Sequence, residues 1–210
     1  MLVLLAAIVA AALVAASVLG GPSRREVVEA ARACDVAELQ RLLAAGASAS
    51  EPVRGLVGWQ VGEPHLLRVY PVTAAAEAGC VEALRLLHAH GASLEAEDSW
   101  EMTPLSLAAR EGRAEAVAWL LAQGVNLHGR TYGGYTALHW AAAMGDAATV
   151  DVLLRAGAHR GVVGRHGSTP ADLARGRRGA EGVAIRELLA SPEAGAQPPG
   201  SPEPEDPTDP

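Results

Sequence analysis

Residues 136–158, TALHWAAAMGDAATVDVLLRAGA, have the pattern of two short helices placed back to back. At helical spacing, small side chains, mostly alanine, form the apolar stripe of the first helix, and larger ones such as Val150 and Leu153 form that of the second. Gly145 and Gly157 are predicted to end the two helices in the left-handed conformation, which glycine reaches without a steric penalty. A hairpin this small leaves one side of each stripe in water, so it predicts neighbours of the same kind.

The neighbours are present, because equivalent residues recur 33 positions apart. The helix-starting threonine of the quoted stretch has equivalents on both sides, and two further series keep the same phase. The threonines are Thr103, Thr136 and Thr169, the glycines are Gly79, Gly112 and Gly145, and the leucines are Leu87, Leu120 and Leu153. A fixed period with three residue types in phase is the signature of a repeat protein.

The segments MTPLSLAAREG (102–112), YTALHWAAAMG (135–145) and STPADLA (168–174) resemble the ankyrin-repeat motif T-P-L-H-x-A-A-x-x-G. A threonine hydroxyl can cap the free amides of a helix start, and proline fits the first helical position. The resemblance covers about residues 25–190. It implies an all-α solenoid of helix-turn-helix repeats with protruding loop fingers, in which His139 makes structural hydrogen bonds between loops.

The repeat domain is expected over residues 22–190, in five units. Their approximate bounds are 24–48, 66–98, 99–131, 132–164 and 165–190. The first unit lacks T-P-L-H, carries Cys34 where the first glycine belongs, and has charged outward positions, as a solvent-facing terminal cap requires. About 12 residues are inserted within 50–69, as a long loop or an extended hairpin. The last unit is also irregular, which indicates a loosened C-terminal cap.

Residues 2–20 contain no charged side chain and would be about 28 Å long as a helix, close to the hydrocarbon thickness of a bilayer. Residues 1–21 are therefore expected to form a transmembrane helix or signal anchor. A cleaved secretory signal is the alternative. Arg24, Arg25 and Arg32 follow the segment, and the positive-inside tendency would keep the repeat domain in the cytoplasm. If the segment is cleaved, the product would be periplasmic or secreted.

Composition bounds the remaining possibilities. The net charge of −7 argues against non-specific nucleic-acid binding, which needs a basic face. Residues 191–210 are rich in proline and acidic residues without an apolar face, so a disordered tail is expected. Cys34 and Cys80 are too few for a disulfide framework and have no mates at zinc-ligand spacing. They are expected to be small buried thiols, which would fit a reducing compartment.

No constellation for catalysis is found. The seven histidines include no metalloprotease or Cys-His pattern, and Gly133-Gly134 lies between helices, where it cannot form a phosphate loop. The sequence therefore predicts no enzyme activity, no catalytic or metal-ligating residues, no cofactor, no small-molecule substrate and no nucleic-acid partner.

The positions that ankyrin-like stacks expose, on finger tips and on the first helices, form a concave groove. The resemblance places there Trp100, Met102, Arg110, Glu111, Arg130, Tyr132, Tyr135, Met144, Arg165 and His166. Aromatic residues, Met and Arg are enriched at the centres of protein interfaces. We therefore expect a membrane-tethered scaffold that binds another protein. The alternative is a secreted or periplasmic ankyrin protein that acts as an inhibitor, an immunity-type partner or an enzyme accessory.

Overall fold

A computed structural model of the chain describes residues 23–56 and 66–191. In these residues the chain forms five helical pairs and one pair of strands. The first helices are α1 (Arg24–Arg32), α3 (Pro71–Ala78), α5 (Pro104–Arg110), α7 (Ala137–Ala143) and α9 (Pro170–Ala174). The second helices are α2 (Val36–Ala44), α4 (Val81–Ala89), α6 (Ala114–Ala122), α8 (Ala147–Arg155) and α10 (Gly179–Ala190). The strands are β1 (Val53–Leu56) and β2 (Leu66–Val69).

The helix starts follow the predicted cap chemistry. Thr103 accepts a hydrogen bond from the amide of Ser106, and Thr169 accepts one from the amide of Asp172. Proline occupies the start of α3, α5 and α9. These side chains satisfy amides that a helix start leaves without an intrahelical partner, so the threonine-proline motif fixes where each first helix begins.

The helices pack in two rows. In one row each first helix lies against the first helix of the next pair, and in the other row the second helices do the same. The first row is lined by alanine, including the fully buried Ala75, Ala109 and Ala142. The second row buries leucines such as Leu87 and Leu120. Small side chains let the first helices approach closely, and the leucines fill the wider space beneath them, so one continuous core runs along the stack.

Gly145 differs from the prediction. Gly157, like Gly79 and Gly112, has a positive φ, as a left-handed helix end requires, but Gly145 is not among the glycines with positive φ. It is needed for space, because a Cβ atom there would lie 2.5 Å from the carbonyl oxygen of Ala109 in the preceding pair. The conformational explanation was wrong for this residue, and close contact between adjacent pairs replaces it.

The inserted segment adds the part of the fold that is not helical. β1 and β2 pair antiparallel, with Val53 opposite Val69 and Leu56 opposite Leu66. The all-α expectation holds for the repeats, and the described ends of the insert form a two-stranded sheet. Within residues 23–56 and 66–191, every helix is too short or too polar to cross a bilayer. The predicted anchor at 1–21 and all but the first residue of the predicted tail at 191–210 lie outside the described residues.

The expectation of two separate buried thiols was wrong. Cys34 and Cys80 form a disulfide, with their Cα atoms 5.5 Å apart. Cys34 lies in the exposed turn between α1 and α2, and the buried Cys80 is the N-cap residue of α4. Their separation of 46 residues hid the pair in the sequence. The inserted segment lies between the two cysteines and carries them beyond the normal repeat spacing.

Candidate functional site

The turns ahead of three first helices share one hydrogen-bond pattern, and we call them fingers: residues 98–102, 131–135 and 164–168. In each finger the amide of the first residue donates to the carbonyl of the fifth. These hydrogen bonds are Asp98 to Met102 at 3.1 Å, Thr131 to Tyr135 at 2.9 Å and Gly164 to Ser168 at 3.0 Å. A closed turn of this kind exposes at least one of the intervening residues in each finger. It explains why the residues just ahead of the helices, and not those within them, supply the exposed side chains.

Backbone hydrogen bonds join neighbouring fingers. The Tyr132 amide donates to the Trp100 carbonyl at 3.1 Å, and the Arg165 amide donates to the Gly133 carbonyl at 2.7 Å. The inserted sheet joins the same row, because the Arg68 amide donates to the hydroxyl of Ser99 at 2.8 Å. The three fingers and strand β2 therefore form a continuous edge along one side of the stack.

Three side chains at this edge, one from each finger, form a surface that we call the ridge: Trp100, Tyr132 and Arg165. Trp100 is 54% exposed and Tyr132 is 63% exposed. The Arg165 guanidinium carbon lies 5.0 Å from the centre of the Tyr132 ring, within the range of a cation–π contact. His166 is exposed next to it. Of the predicted finger residues, these four are available to a partner.

Three other predicted finger residues support the fingers internally. Met102 is only 3% exposed, so its assignment to the binding surface was wrong. The half-buried Tyr135 ring packs against Gly133 and Gly164, where an added Cβ would lie 3.2 Å and 2.6 Å from ring carbons. Arg130 is exposed, but its Nη1 donates to the carbonyls of Gly134 and Val163 at 3.0 and 3.1 Å. Tyr135 and Arg130 thus brace adjacent fingers.

Asp98 shapes the first finger, although the sequence analysis did not single it out. Its Oδ1 accepts the amides of Trp100 at 2.8 Å and Met102 at 2.9 Å. Burial raises the pKa of this carboxyl above its ordinary value, against the lowering effect of the two amides. Its position in the repeat was the signal in the sequence that could have identified it, because Thr131 and Gly164 occupy the equivalent places in the other fingers. Asp98 thereby fixes the turn that exposes Trp100.

The C-terminal ends of the first helices carry a chain of ion pairs. Glu77 pairs with Arg32 at 3.5 Å and with Arg110 at 3.3 Å, and Arg110 pairs with Glu111 at 2.8 Å. The predicted site residues Arg110 and Glu111 therefore neutralise one another's charge. Of these pairs, the exposed Arg32–Glu77 pair contributes little to stability. In the next pair of helices the same face carries Met144, which is 63% exposed and continues the accessible surface with an apolar side chain.

His139 has the structural role that the resemblance implied. Its Nδ1 accepts a hydrogen bond from the Thr136 amide at 3.1 Å, so the proton is assigned to Nε2, which donates to the Ser168 carbonyl at 3.1 Å. Burial lowers the pKa of this imidazole below its ordinary value. The neighbouring Trp140 is half-buried and donates to the hydroxyl of Thr131. Both side chains tie α7 to the fingers.

Among the described residues, one group has side chains close enough to share a metal ion: Cys34, Cys80 and Glu82, whose ligand atoms lie within 4.8 Å of one another. The two sulfur atoms are bonded to each other, and a metal needs them as thiolates. In this state the group is a disulfide beside an exposed carboxylate.

A family model described as Ankyrin repeats (3 copies) matches the chain over residues 30–129 and 72–162. Together these matches cover more than half of the chain, and the chain belongs to the ankyrin-repeat family. Members of this family are typically binding scaffolds without enzymatic activity, and their repeats mediate protein–protein interaction. No individual curated protein matches the chain significantly.

Proposed function

We propose that this protein captures another protein on the ridge formed by Trp100, Tyr132 and Arg165. The observation that carries the proposal is the exposure of two large aromatic rings on adjacent, hydrogen-bonded fingers. Solvent-exposed aromatic side chains lose water-contacting apolar area when a partner covers them, and Trp, Tyr and Arg are enriched among the residues that dominate binding energy.

The flanking residues define the chemistry of the partner. Arg165 and His166 lie at one end of the ridge, and Met144 supplies an apolar contact on the first-helix face. Arg110 and Glu111 are already paired with each other. The complementary partner surface presents apolar side chains opposite the rings and a carboxylate opposite Arg165, because an arginine held by a ring still has free donors for an acidic group.

The binding site is tested by a pull-down with the full chain as bait from a total lysate of the cells that produce it. Trp100→Ala combined with Tyr132→Ala is expected to weaken capture about thirtyfold or more, since one such anchor contributes about 2 kcal/mol or more. Val183→Ala is the matched control, because Val183 is 45% exposed on α10 away from the fingers. Helical circular dichroism should be unchanged in all variants. Full capture by the double variant would refute the ridge and direct attention to the 50–69 insert.

The location of the repeat domain is part of the proposal. The apolar segment 2–20 supports delivery to a membrane, either as a permanent tether or as a cleaved signal. Arg24, Arg25 and Arg32 favour a cytoplasmic repeat domain. The Cys34–Cys80 disulfide favours the alternative compartment, because disulfides persist outside the cytosol and are rare within it. We therefore favour a repeat domain on the oxidising side of the membrane.

Protease protection of a C-terminally tagged chain separates these placements. External protease should remove the tag from intact cells or spheroplasts if the domain lies on the oxidising side. A tag that is digested only after lysis, together with two free thiols, would restore the cytoplasmic placement. The mass of the mature N-terminus then distinguishes a retained anchor from a cleaved signal.

A further inference from the structure

We infer that Cys34 and Cys80 are a dedicated redox clip that holds the N-terminal helical pair on the stack. The clip joins the turn after α1 to the start of α4, so it connects the first pair of helices to the second. The inference goes beyond partner binding and does not depend on the ridge.

The first supporting observation is the backbone at Cys34. Its φ is +56°, in the left-handed region that favours glycine. The equivalent residues of the next two units are Gly79 and Gly112, with φ of 81° and 66°. A cysteine at this position is less favourable for the turn than the glycine found elsewhere in the same chain. Turn geometry therefore does not explain why a cysteine occupies this position, whereas a disulfide bond through its sulfur does.

The second observation is the position of Cys80. It is the N-cap of α4 and makes no side-chain capping bond, as is also true of Arg113 and Arg178 at α6 and α10, whereas Asp35 and Asp146 cap α2 and α8 through their carboxylates. Cysteine therefore caps this helix less well than the aspartate that two of the other second helices use. Neither the turn at Cys34 nor the helix start at Cys80 requires a cysteine, and the two cysteines are bonded to each other.

The third observation is that the equivalent two positions are also in contact at the next two junctions of the stack. A Cβ atom built on Gly79 would lie 3.2 Å from Cβ of Arg113, and one built on Gly112 would lie 3.3 Å from Cγ of Asp146. Each of these pairs is separated by 34 residues. Cys34 and Cys80 are the same pair of positions at the first junction, where the insert of about 12 residues lengthens the separation to 46. The repeat geometry itself brings the thiols together.

The junction that carries the clip is the one that needs it most. Terminal repeats have a neighbour on one side only, so they open before the interior of a stack does. The insert also lengthens the connection to the first pair, which gives that pair more conformations when it detaches. A covalent bond across this junction removes most of those conformations.

The chemistry is an ordinary thiol–disulfide exchange. The two thiols lose two protons and two electrons as the sulfur–sulfur bond forms, and a small-molecule disulfide such as oxidised glutathione accepts them and leaves as two thiols. Cys34 is exposed and Cys80 is buried, so exchange with an external thiol or disulfide takes place at Cys34. The clip can therefore be opened by a reductant without unfolding of the helices.

The test uses the purified full chain, equilibrated with oxidised glutathione or with a reductant. Tryptic digestion without reductant should give one linked species joining residues 33–41 to residues 69–85. Amide hydrogen exchange followed by mass spectrometry should show that reduction speeds exchange in α1 and α2 by about a hundredfold or more, with little change in α7 and α8.

The matched control is the double variant Cys34→Gly with Cys80→Asp, which gives both positions the residues used elsewhere in the chain. It should fold, and its exchange pattern should not respond to reductant. Two alkylatable thiols after oxidation, or equal exchange in α1 with and without reductant, would overturn the clip. Stoichiometric zinc held by the reduced wild-type chain, with free thiols after oxidation, would overturn it in favour of a metal site that includes Glu82.

Discussion

Replacing Cys34 by glycine should have opposite effects on stability in oxidising and reducing conditions. The disulfide closes a separation of 46 residues, for which loop-closure entropy gives a stabilisation of about 4 kcal/mol. The φ of +56° costs a non-glycine residue roughly 1–2 kcal/mol. Under oxidising conditions Cys34→Gly loses the disulfide stabilisation and recovers the cost of the left-handed conformation, so it should be about 3 kcal/mol less stable than the wild type. Under reducing conditions only the recovery remains, and the variant should be about 1 kcal/mol more stable.

Urea denaturation followed by circular dichroism, with and without a phosphine reductant, measures this reversal. Cys34→Ala is the control, because it also breaks the disulfide but keeps a side chain in the left-handed conformation. Cys34→Ala should equal the reduced wild type within about 0.5 kcal/mol. The reasoning is refuted if Cys34→Gly is no more stable than Cys34→Ala, or if the wild type responds to reductant no more than the variants do.

Three further predictions concern the stack and the fingers. The pKa of His139 is lower in the folded state than its ordinary value of 6.5, which applies to the unfolded chain. As the pH falls through 6.5, the unfolded chain binds the proton first, so the free energy of unfolding should decrease. His139→Gln should reduce this slope, and an unchanged slope in pH-dependent urea titrations would contradict the assignment. Gly145→Ala should lower the unfolding free energy by about 1–3 kcal/mol through collision with the Ala109 carbonyl, whereas Gly161→Ala, which meets no atom within 4 Å, should have little effect in thermal melts. Tyr135→Ala should cost about 2 kcal/mol in stability because its half-buried ring packs between fingers, while Tyr132→Ala should leave the melting temperature nearly unchanged and weaken partner capture; the opposite pattern would exchange the roles of the two tyrosines.

The frame could be predicted from the sequence because its determinants are local. A threonine three residues before the amide it caps, a proline after it and alanines at helical spacing all act within one turn. The His139 contact also follows from its place in the motif. These features recur in several units, so each of them can be recognised more than once in the sequence.

The misassigned residues depend on contacts that the repeat motif does not show. Met102 and Trp100 are two residues apart in one finger, and the Asp98 turn decides that one is buried and the other exposed. Gly145 looked like a helix end because the contact with Ala109 lies in another unit. The cysteine pair was obscured by the insert, although subtracting about 12 residues from 46 recovers the repeat-to-repeat spacing of 34.

The hydrogen bonds between fingers have a thermodynamic consequence for any partner. Because Tyr132 is bonded to Trp100 and Arg165 to Gly133 through their backbones, the three ridge residues are held in register before binding. Ordering of loops is one of the costs that separates buried area from affinity, and rigid surfaces avoid much of it. The conformational entropy of the ridge was therefore largely lost during folding, so a partner does not have to order it on binding. We expect the complex to form with little rearrangement of the fingers and to dissociate slowly.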